Sequence, residues 1–179
     1  MEKQLEQISM TGRLCYLFMC IEKYLVTKYP KKDWSFVAKR MWQWTNMDWE
    51  DGYELYSVVV PECILECENV DVANDELGAE LTEEQFETLT VLLSDMSDGS
   101  GTSEFDRIMY APMEFGDICA DGDLHFAMEN TEDVIRQVVC MLEQNGIEAP
   151  SLDLVKQMSI KENNGWGKKF DSTKLSIIL

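Results

Sequence analysis

The sequence predicts an all-α protein: a single domain over residues 1–179, folded as an irregular bundle of about six to eight helices. Two observations predict this class. Apolar residues recur at helical spacing in several separate segments, and 45% of the 179 residues are hydrophobic, which is enough to build one core in a chain of this length. Five tryptophans, seven phenylalanines and six tyrosines also exclude a disordered acidic chain.

The first two helices are predicted from the amino-terminal part of the chain. Pro30 disfavours helical geometry in the residue before it, so the first helix should end near this proline. Asp33 is expected to cap the second helix. The apolar stripes that define the two helices are Leu14, Leu17, Phe18, Ile21 and Leu25 in the first, and Val37, Met41 and Trp44 in the second.

The middle of the chain gives mixed signals. Residues 56–60 are β-branched enough to form a strand, but the acidic residues around them favour helix, and we predict helix. Residues 69–81 are expected to form a polar connector. Thr82 and Gln85 then form a capping box, which predicts the start of a helix. A tryptophan cluster before this region indicates core packing, with a binding platform as the alternative: Trp34, Trp42, Trp44 and Trp49.

The last third of the chain carries further helix signals. Ser103 is expected to cap a short helix that is interrupted at Pro112. Thr131 is expected to cap the last long helix, and Gly146 stands where a carboxy-terminal glycine belongs. A short final helix should open at Ser151. The parts of the tail that we expect to pack against the body are Trp166, Phe170 and the apolar residues 175–179.

The charge of the chain is strongly one-sided. There are 34 acidic and 15 basic residues, and 25 of the acids lie in residues 48–133, with Arg107 as the one base of that segment. Solubility needs a net charge of only about 2–8 in a small domain, and the excess destabilises the fold through self-repulsion. The segment is therefore either a solvated acidic surface or a negative face for a basic partner. Nucleic acid and anionic lipid are excluded as partners, because phosphate contacts come from Lys and Arg.

The sequence predicts a soluble, cytoplasmic protein without metal. The most apolar run, residues 14–21, has eight residues, whereas a membrane-spanning helix needs about 20. Acids at Glu2 and Glu6 do not fit a secretory signal, so the six cysteines are expected to be reduced. Cys63 and Cys67 have no second ligand pair that would complete a zinc site.

No catalytic residues and no cofactor are predicted. The chain lacks the glycine-rich motifs that hold phosphate groups, and the acidic loop 95–106 does not place ligands as a calcium-binding loop does. His125 is the one histidine, and it is expected in an ordinary loop. An enzyme that uses Cys119 and His125 is kept as an alternative from another functional class.

The acidic segment supplies the candidate binding site. Acidic side chains opposite the apolar stripe of the helix after Thr82, and in the loop that follows, can attract a basic protein and steer its approach. The residues that we predict to bind the partner are Glu83, Glu84, Glu87, Asp95, Asp98, Glu104 and Asp106.

Size, helical content, acidity, a long apolar first helix and one short motif complete the pattern. The motif consists of Gly165, Trp166, Gly167, Lys168, Lys169 and Phe170. Together these features resemble the all-helical immunity proteins of bacterial polymorphic toxin systems. The resemblance implies a cytosolic antidote that binds a toxin domain, often a nuclease, and blocks its active site, with no catalytic residues of its own. The alternative is a phosphate mimic that binds a basic DNA-binding protein.

Overall fold

The computed structural model describes residues 2–121, 123–169, 171 and 173–179. Within these residues there is no strand, and the one β-type contact is an isolated bridge between Ile8 and Ser159. The prediction of a single all-α domain is confirmed. The helices are α1 (Glu2–Leu5), α2 (Met10–Lys28), α3 (Ser35–Trp44), α4 (Trp49–Ser57), α5 (Pro61–Ile64), α6 (Val70–Glu76), α7 (Glu83–Ser94), α8 (Glu104–Asp121) and α9 (Leu124–Gln144), followed by 3-10 turns at Leu152–Leu154, Glu162–Gly165 and Thr173–Leu175.

Helix α2 forms the centre of the bundle and packs against α3, α8 and α9. It begins after Ser9, whose hydroxyl accepts a hydrogen bond from the Gly12 amide, and it ends at Lys28, just before Pro30 as predicted. The sequence predicts one apolar face, but every residue from Met10 to Glu22 is buried. A helix that is buried on all sides must place its polar residues where partners exist, and α2 does so with Arg13 and Glu22.

Arg13 joins the start of α2 to α9 through buried hydrogen bonds. Its guanidinium donates to the carbonyl oxygens of Leu5 at 2.9 Å, Ile8 at 3.3 Å and Met128 at 2.6 Å. It also donates to the Thr131 hydroxyl at 3.3 Å. These contacts fix the α1–α2 turn against the middle of α9.

Glu22 holds the carboxy-terminal tail on the bundle. Its carboxylate accepts hydrogen bonds from the Trp42 indole at 2.7 Å, the Ser176 hydroxyl at 2.5 Å and the Ile177 amide at 2.7 Å. The tail therefore docks on the body as predicted, with a buried polar anchor at its centre. The apolar tail residues that pack against the core are Leu175 and Ile178, whereas Ile177 and Leu179, which share that prediction, are 60% and 50% exposed.

Several predicted helix boundaries are confirmed. Thr82 and Gln85 form the reciprocal capping box at the start of α7. The Ser103 hydroxyl accepts a hydrogen bond from the Asp106 amide at 3.0 Å and so caps α8. Gly146 has a φ of 67°, as expected for the glycine after α9. Residues 56–60 form no strand, but the prediction of helix holds only for Tyr56 and Ser57, because α4 ends there and residues 58–60 form a turn.

Other boundaries differ from the prediction. Helix α9 begins at Leu124, where Asp123 caps it, and not at Thr131. Thr131 lies inside the helix, where its hydroxyl donates to the Ala127 carbonyl one turn earlier, at 2.6 Å. A threonine can be satisfied in this way within a helix as well as at a cap. Pro112 does not interrupt α8, which runs through it; its ring removes one amide donor and leaves the rest of the helix intact.

Three further corrections concern polar residues. Residues 69–81 are not a plain connector, because α6 lies within them and is capped by Asn69. Asp33 accepts a hydrogen bond from the Ser35 amide at 2.9 Å, but Trp34 occupies the cap position of α3. His125 lies on the first turn of α9 and not in a loop. For Asp33 and His125 the cause is that apolar spacing does not determine on which side of a helix end a polar residue lies.

Candidate functional site

Helix α7 carries the first part of the candidate site. Leu89 and Leu93 are buried on its inner face, and the capping box at Thr82 fixes where the helix begins. The opposite face is exposed to solvent. Its exposed residues follow helical spacing along one stripe: Glu84, Glu87, Thr88, Val91 and Asp95.

This stripe is acidic with an apolar centre. Helix α7 contains no basic residue, and Glu83 adds a further exposed carboxylate at its first turn. Val91 has 68% of its surface exposed. An apolar centre with a polar rim is the usual arrangement of a protein–protein interface.

Asp95 and Asp98 continue the negative charge beyond α7. Both side chains are exposed, and Asp95 forms an ion pair with Lys32. The hydroxyl and amide of Ser100 donate to Asp98, and these hydrogen bonds hold the pKa of its carboxyl below the usual value. Asp98 is therefore ionised at neutral pH. We use the name acidic face for the five exposed candidates: Glu83, Glu84, Glu87, Asp95 and Asp98.

The other two candidates face inward. Asp106 is only 1% exposed and accepts a hydrogen bond from the Ser103 amide at 3.0 Å, which completes the cap of α8. Glu104 is half-buried and accepts hydrogen bonds from the Tyr24 hydroxyl at 3.0 Å and the Asn145 side chain at 2.9 Å. Asp106 caps α8, and Glu104 joins α8 to α2 and to the end of α9. The candidate residues that a partner can reach are therefore those of the acidic face.

Cys119 and His125, the residues of the enzyme alternative, have different surroundings. Cys119 is 9% exposed, and burial raises the pKa of its thiol to about 12, although the charge of Arg13 acts in the opposite direction. Its reactive thiolate form is therefore scarce at neutral pH. His125 is exposed, and its Nε2 lies 3.6 Å from the Glu129 carboxylate.

Neither a metal-binding cluster nor a membrane-spanning helix is found in the described part of the chain. No group of three or more His, Cys, Asp or Glu side chains within it is arranged to hold a metal ion. Among the helices described, none has the length and apolar character that are needed to cross a bilayer.

The structure also forms a groove that the sequence does not predict. The groove lies between helices α4 and α8, has a volume of about 650 Å³, and has Trp49, Tyr53 and Trp166 among its lining residues. A second cavity of about 480 Å³ adjoins it and shares Trp49 and Trp166. Of the predicted tryptophan cluster, Trp34, Trp42 and Trp44 are buried in the core, as predicted. Trp49 is only partly buried. We use the name aromatic groove for the 650 Å³ cavity between α4 and α8, which Trp49 lines.

The turn before the tail places Trp166 beside this groove. Gly165 has a φ of 97°, and a Cβ atom there would lie 2.3 Å from Cδ2 of Leu124, so only glycine fits. The amide and hydroxyl of Thr11 both donate to the Trp166 carbonyl, at 3.0 and 2.9 Å. The Trp166 ring packs against the body, as predicted, with its centroid 6.3 Å from that of Trp49. Phe170, which shares that prediction, lies outside the described residues.

Comparison with known proteins adds no relative. No protein-family model matches the chain, and no curated protein and no solved structure is similar to it.

Proposed function

We propose that this protein is a cytosolic immunity protein that binds a basic toxin domain, such as a nuclease, and neutralises it by covering its basic surface. The observation that carries the proposal is the acidic face: five exposed carboxylates on α7 and the loop after it, with Lys32 as the base paired to Asp95. Binding of this kind is stoichiometric and needs no catalytic residue.

The physical basis of the proposal is electrostatic steering. A negative surface raises the rate at which a positive partner arrives in the right orientation, by a factor of about 10–1,000 at low salt. The self-repulsion of a chain with net charge −19 works against folding. A binding role gives a reason why so many acids are kept in one segment.

The state of Cys119 supports a binding role over the enzyme alternative. A cysteine nucleophile needs a thiolate that is accessible and has a lowered pKa. Cys119 lines the groove between α4 and α8, but only 9% of its surface is exposed and burial raises the pKa of its thiol, so little of it is in the thiolate form at neutral pH. We propose that the protein acts without covalent chemistry.

Co-expression with the product of the neighbouring gene tests the proposal. The test variant changes Glu83, Glu84 and Glu87 to Lys. The control variant makes the same change at three exposed acids elsewhere: Glu129, Glu143 and Glu148. We expect the wild type and the control to capture the partner and to protect the cell, and the α7 variant to lose both properties.

Two results would count against the proposal. Equal capture by all three forms would show that the acidic face is only a solvated surface. Capture of a host DNA-binding protein, with none of the neighbouring gene product, would favour the phosphate-mimic alternative.

A further inference from the structure

The aromatic groove has a rigid aromatic wall. The Trp49 ring stacks on Phe115 with the centroids 6.0 Å apart and the planes at 20°, and it meets Trp44 edge-on at 6.0 Å. Tyr53 meets the same Trp44 ring edge-on at 6.1 Å. Because Trp44 and Phe115 are buried, the exposed parts of Trp49 and Tyr53 are held in place from behind.

The opposite side of the groove is formed by four residues of α8: Gly116, Asp117, Cys119 and Ala120. A Cβ atom at Gly116 would lie 2.6 Å from Cδ2 of Tyr53 and 3.1 Å from Cη2 of Trp44. Glycine at this position therefore lets Tyr53 of α4 and Trp44 at the end of α3 approach α8. With Ala120 as the neighbouring small side chain, space remains in front of the rings, and the cavity measures about 650 Å³, within the roughly 300–1,000 Å³ of ligand sites.

Three carboxylates border the aromatic wall. Glu50, Glu54 and Asp117 line the groove with exposed side chains, and none of the described residues that line it is basic. Burial raises the pKa of Tyr53, and a hydrogen bond to Asp117 and the charge of that carboxylate add to the effect. Lys169, which lines the adjoining cavity, is paired with Asp48 at 2.8 Å and does not neutralise these acids.

We infer that the aromatic groove receives an arginine side chain of the protein partner. This inference rests on the proposed function, because it names a contact that the basic partner would make. The guanidinium group is flat, so it can stack on an indole ring while it donates paired hydrogen bonds to a carboxylate. Trp49 and Trp166 supply the rings, and Asp117 supplies the carboxylate. A lysine ammonium lacks this flat, forked geometry.

A peptide titration tests the inference without the partner. The probe is N-acetyl-Gly-Arg-Gly-amide, and the matched peptides carry citrulline, which keeps the shape but not the charge, or lysine. The signals are the indole N–H resonances of Trp49 and Trp166 in NMR spectra. We expect both resonances to move and to saturate with the arginine peptide, and the citrulline peptide to bind at least about tenfold more weakly, because it lacks the charge-assisted hydrogen bonds.

A pair of variants locates the binding site. Asp117→Asn removes one exposed charge inside the groove, and Glu148→Gln removes one exposed charge outside both the groove and the acidic face as the control. We expect the first to weaken binding of the arginine peptide by about tenfold and the second to leave it unchanged.

Equal binding of arginine and citrulline, equal binding of arginine and lysine, or no movement of either indole at the highest soluble concentration would overturn the inference. Such a failure leaves the capture experiment on the acidic face untouched, and failed capture with a positive titration would overturn only the proposed function.

Discussion

At the scale of single residues, Arg13 carries a positive charge into the interior of the protein. Each acceptor that the structure shows for it is an uncharged oxygen, and burial lowers the pKa of its guanidinium. Sequence patterns did not reveal this residue, because a single Arg within an apolar stripe is also compatible with a side chain that reaches solvent. Its role depends on the α1–α2 turn and α9 meeting at one point.

We expect Arg13→Met to lower the free energy of unfolding by about 2–4 kcal/mol, because it leaves several buried oxygens without donors. Urea unfolding followed by circular dichroism measures the loss. Arg40→Met is the control: Arg40 is half-buried, and its guanidinium lies 5.3 Å from the Phe36 ring centroid, a contact that is worth about 0.5–1 kcal/mol. Similar losses for the two variants would show that the buried hydrogen bonds of Arg13 contribute little.

Cysteine reactivity tests the proposal that Cys119 does not act as a nucleophile. Burial raises the pKa of Cys20 and Cys119 to about 12 and that of Cys63 to about 11, whereas Cys140 is exposed. Since a raised pKa keeps a thiol protonated at neutral pH, iodoacetamide should modify Cys140 first and Cys119 slowly. Peptide mapping by mass spectrometry gives the order. Rapid, selective modification of Cys119 would support the enzyme alternative.

Trp166 tests the packing of the carboxy-terminal segment. Truncation of a fully buried aromatic costs about 3–5 kcal/mol, and we expect Trp166→Ala to cost about 1–3 kcal/mol because the ring is only partly buried. Trp166→Phe, which keeps an aromatic ring against Trp49, should lose less. The melting temperatures of the two variants, compared with that of the wild type, measure these losses of stability. An alanine variant that melts like the wild type but no longer binds a partner would show that the residue serves the interface alone.

At the scale of helices, caps formed by residues close together in the chain could be predicted from sequence. Features that depend on contacts between distant parts of the chain could not. The capping box of α7 and the Ser103 cap of α8 are formed by side chains that bond to backbone within three residues, so sequence reveals them. Helix α6 was missed because Ala73 is the one residue of its seven that is fully buried, which leaves no apolar period to detect. Thr131 was misplaced because a hydroxyl can also bond inside a helix.

The capping box gives a prediction for α7. Thr82→Ala removes the acceptor for the Gln85 amide and should cost about 1 kcal/mol of stability. Thr88→Ala is the matched control, since Thr88 is exposed within the same helix and alanine is the better helix former. Unfolding in urea distinguishes the two. If both variants unfold at the same denaturant concentration, the cap does not stabilise the helix.

At the scale of the whole molecule, the charge distribution could be predicted from sequence but its orientation could not. The acids of residues 48–133 are visible in the sequence, yet packing against Tyr24 and Asn145 turns Glu104 inward. The aromatic groove could not be predicted either. It needs α4 and α8 to approach at Gly116, and the turn at Gly165 to place Trp166 beside them.

Salt should act on the free protein and on its complex in opposite directions. Sodium chloride screens the repulsion among the carboxylates, so the melting temperature of the free protein should rise with salt. Replacing Glu83, Glu84 and Glu87 with Gln should make this rise smaller, because less repulsion remains to be screened. Differential scanning calorimetry measures the melting temperature of the wild type and of the Gln variant at each salt concentration. A melting temperature that falls with salt would mean that attractive ion pairs outweigh the repulsion.

The rate of association with the neighbouring gene product, measured by stopped-flow fluorescence over a range of salt concentrations, tests the central claim most directly. For the wild type, the rate constant should fall steeply as salt increases, because exposed charges are screened beyond roughly 8 Å at physiological ionic strength. The Lys variant of Glu83, Glu84 and Glu87 should associate at least about tenfold more slowly at low salt and lose most of the salt dependence. The control variant at Glu129, Glu143 and Glu148 should stay close to the wild type. One common rate and one common salt dependence for all three forms would contradict the claim that the acidic face binds the partner.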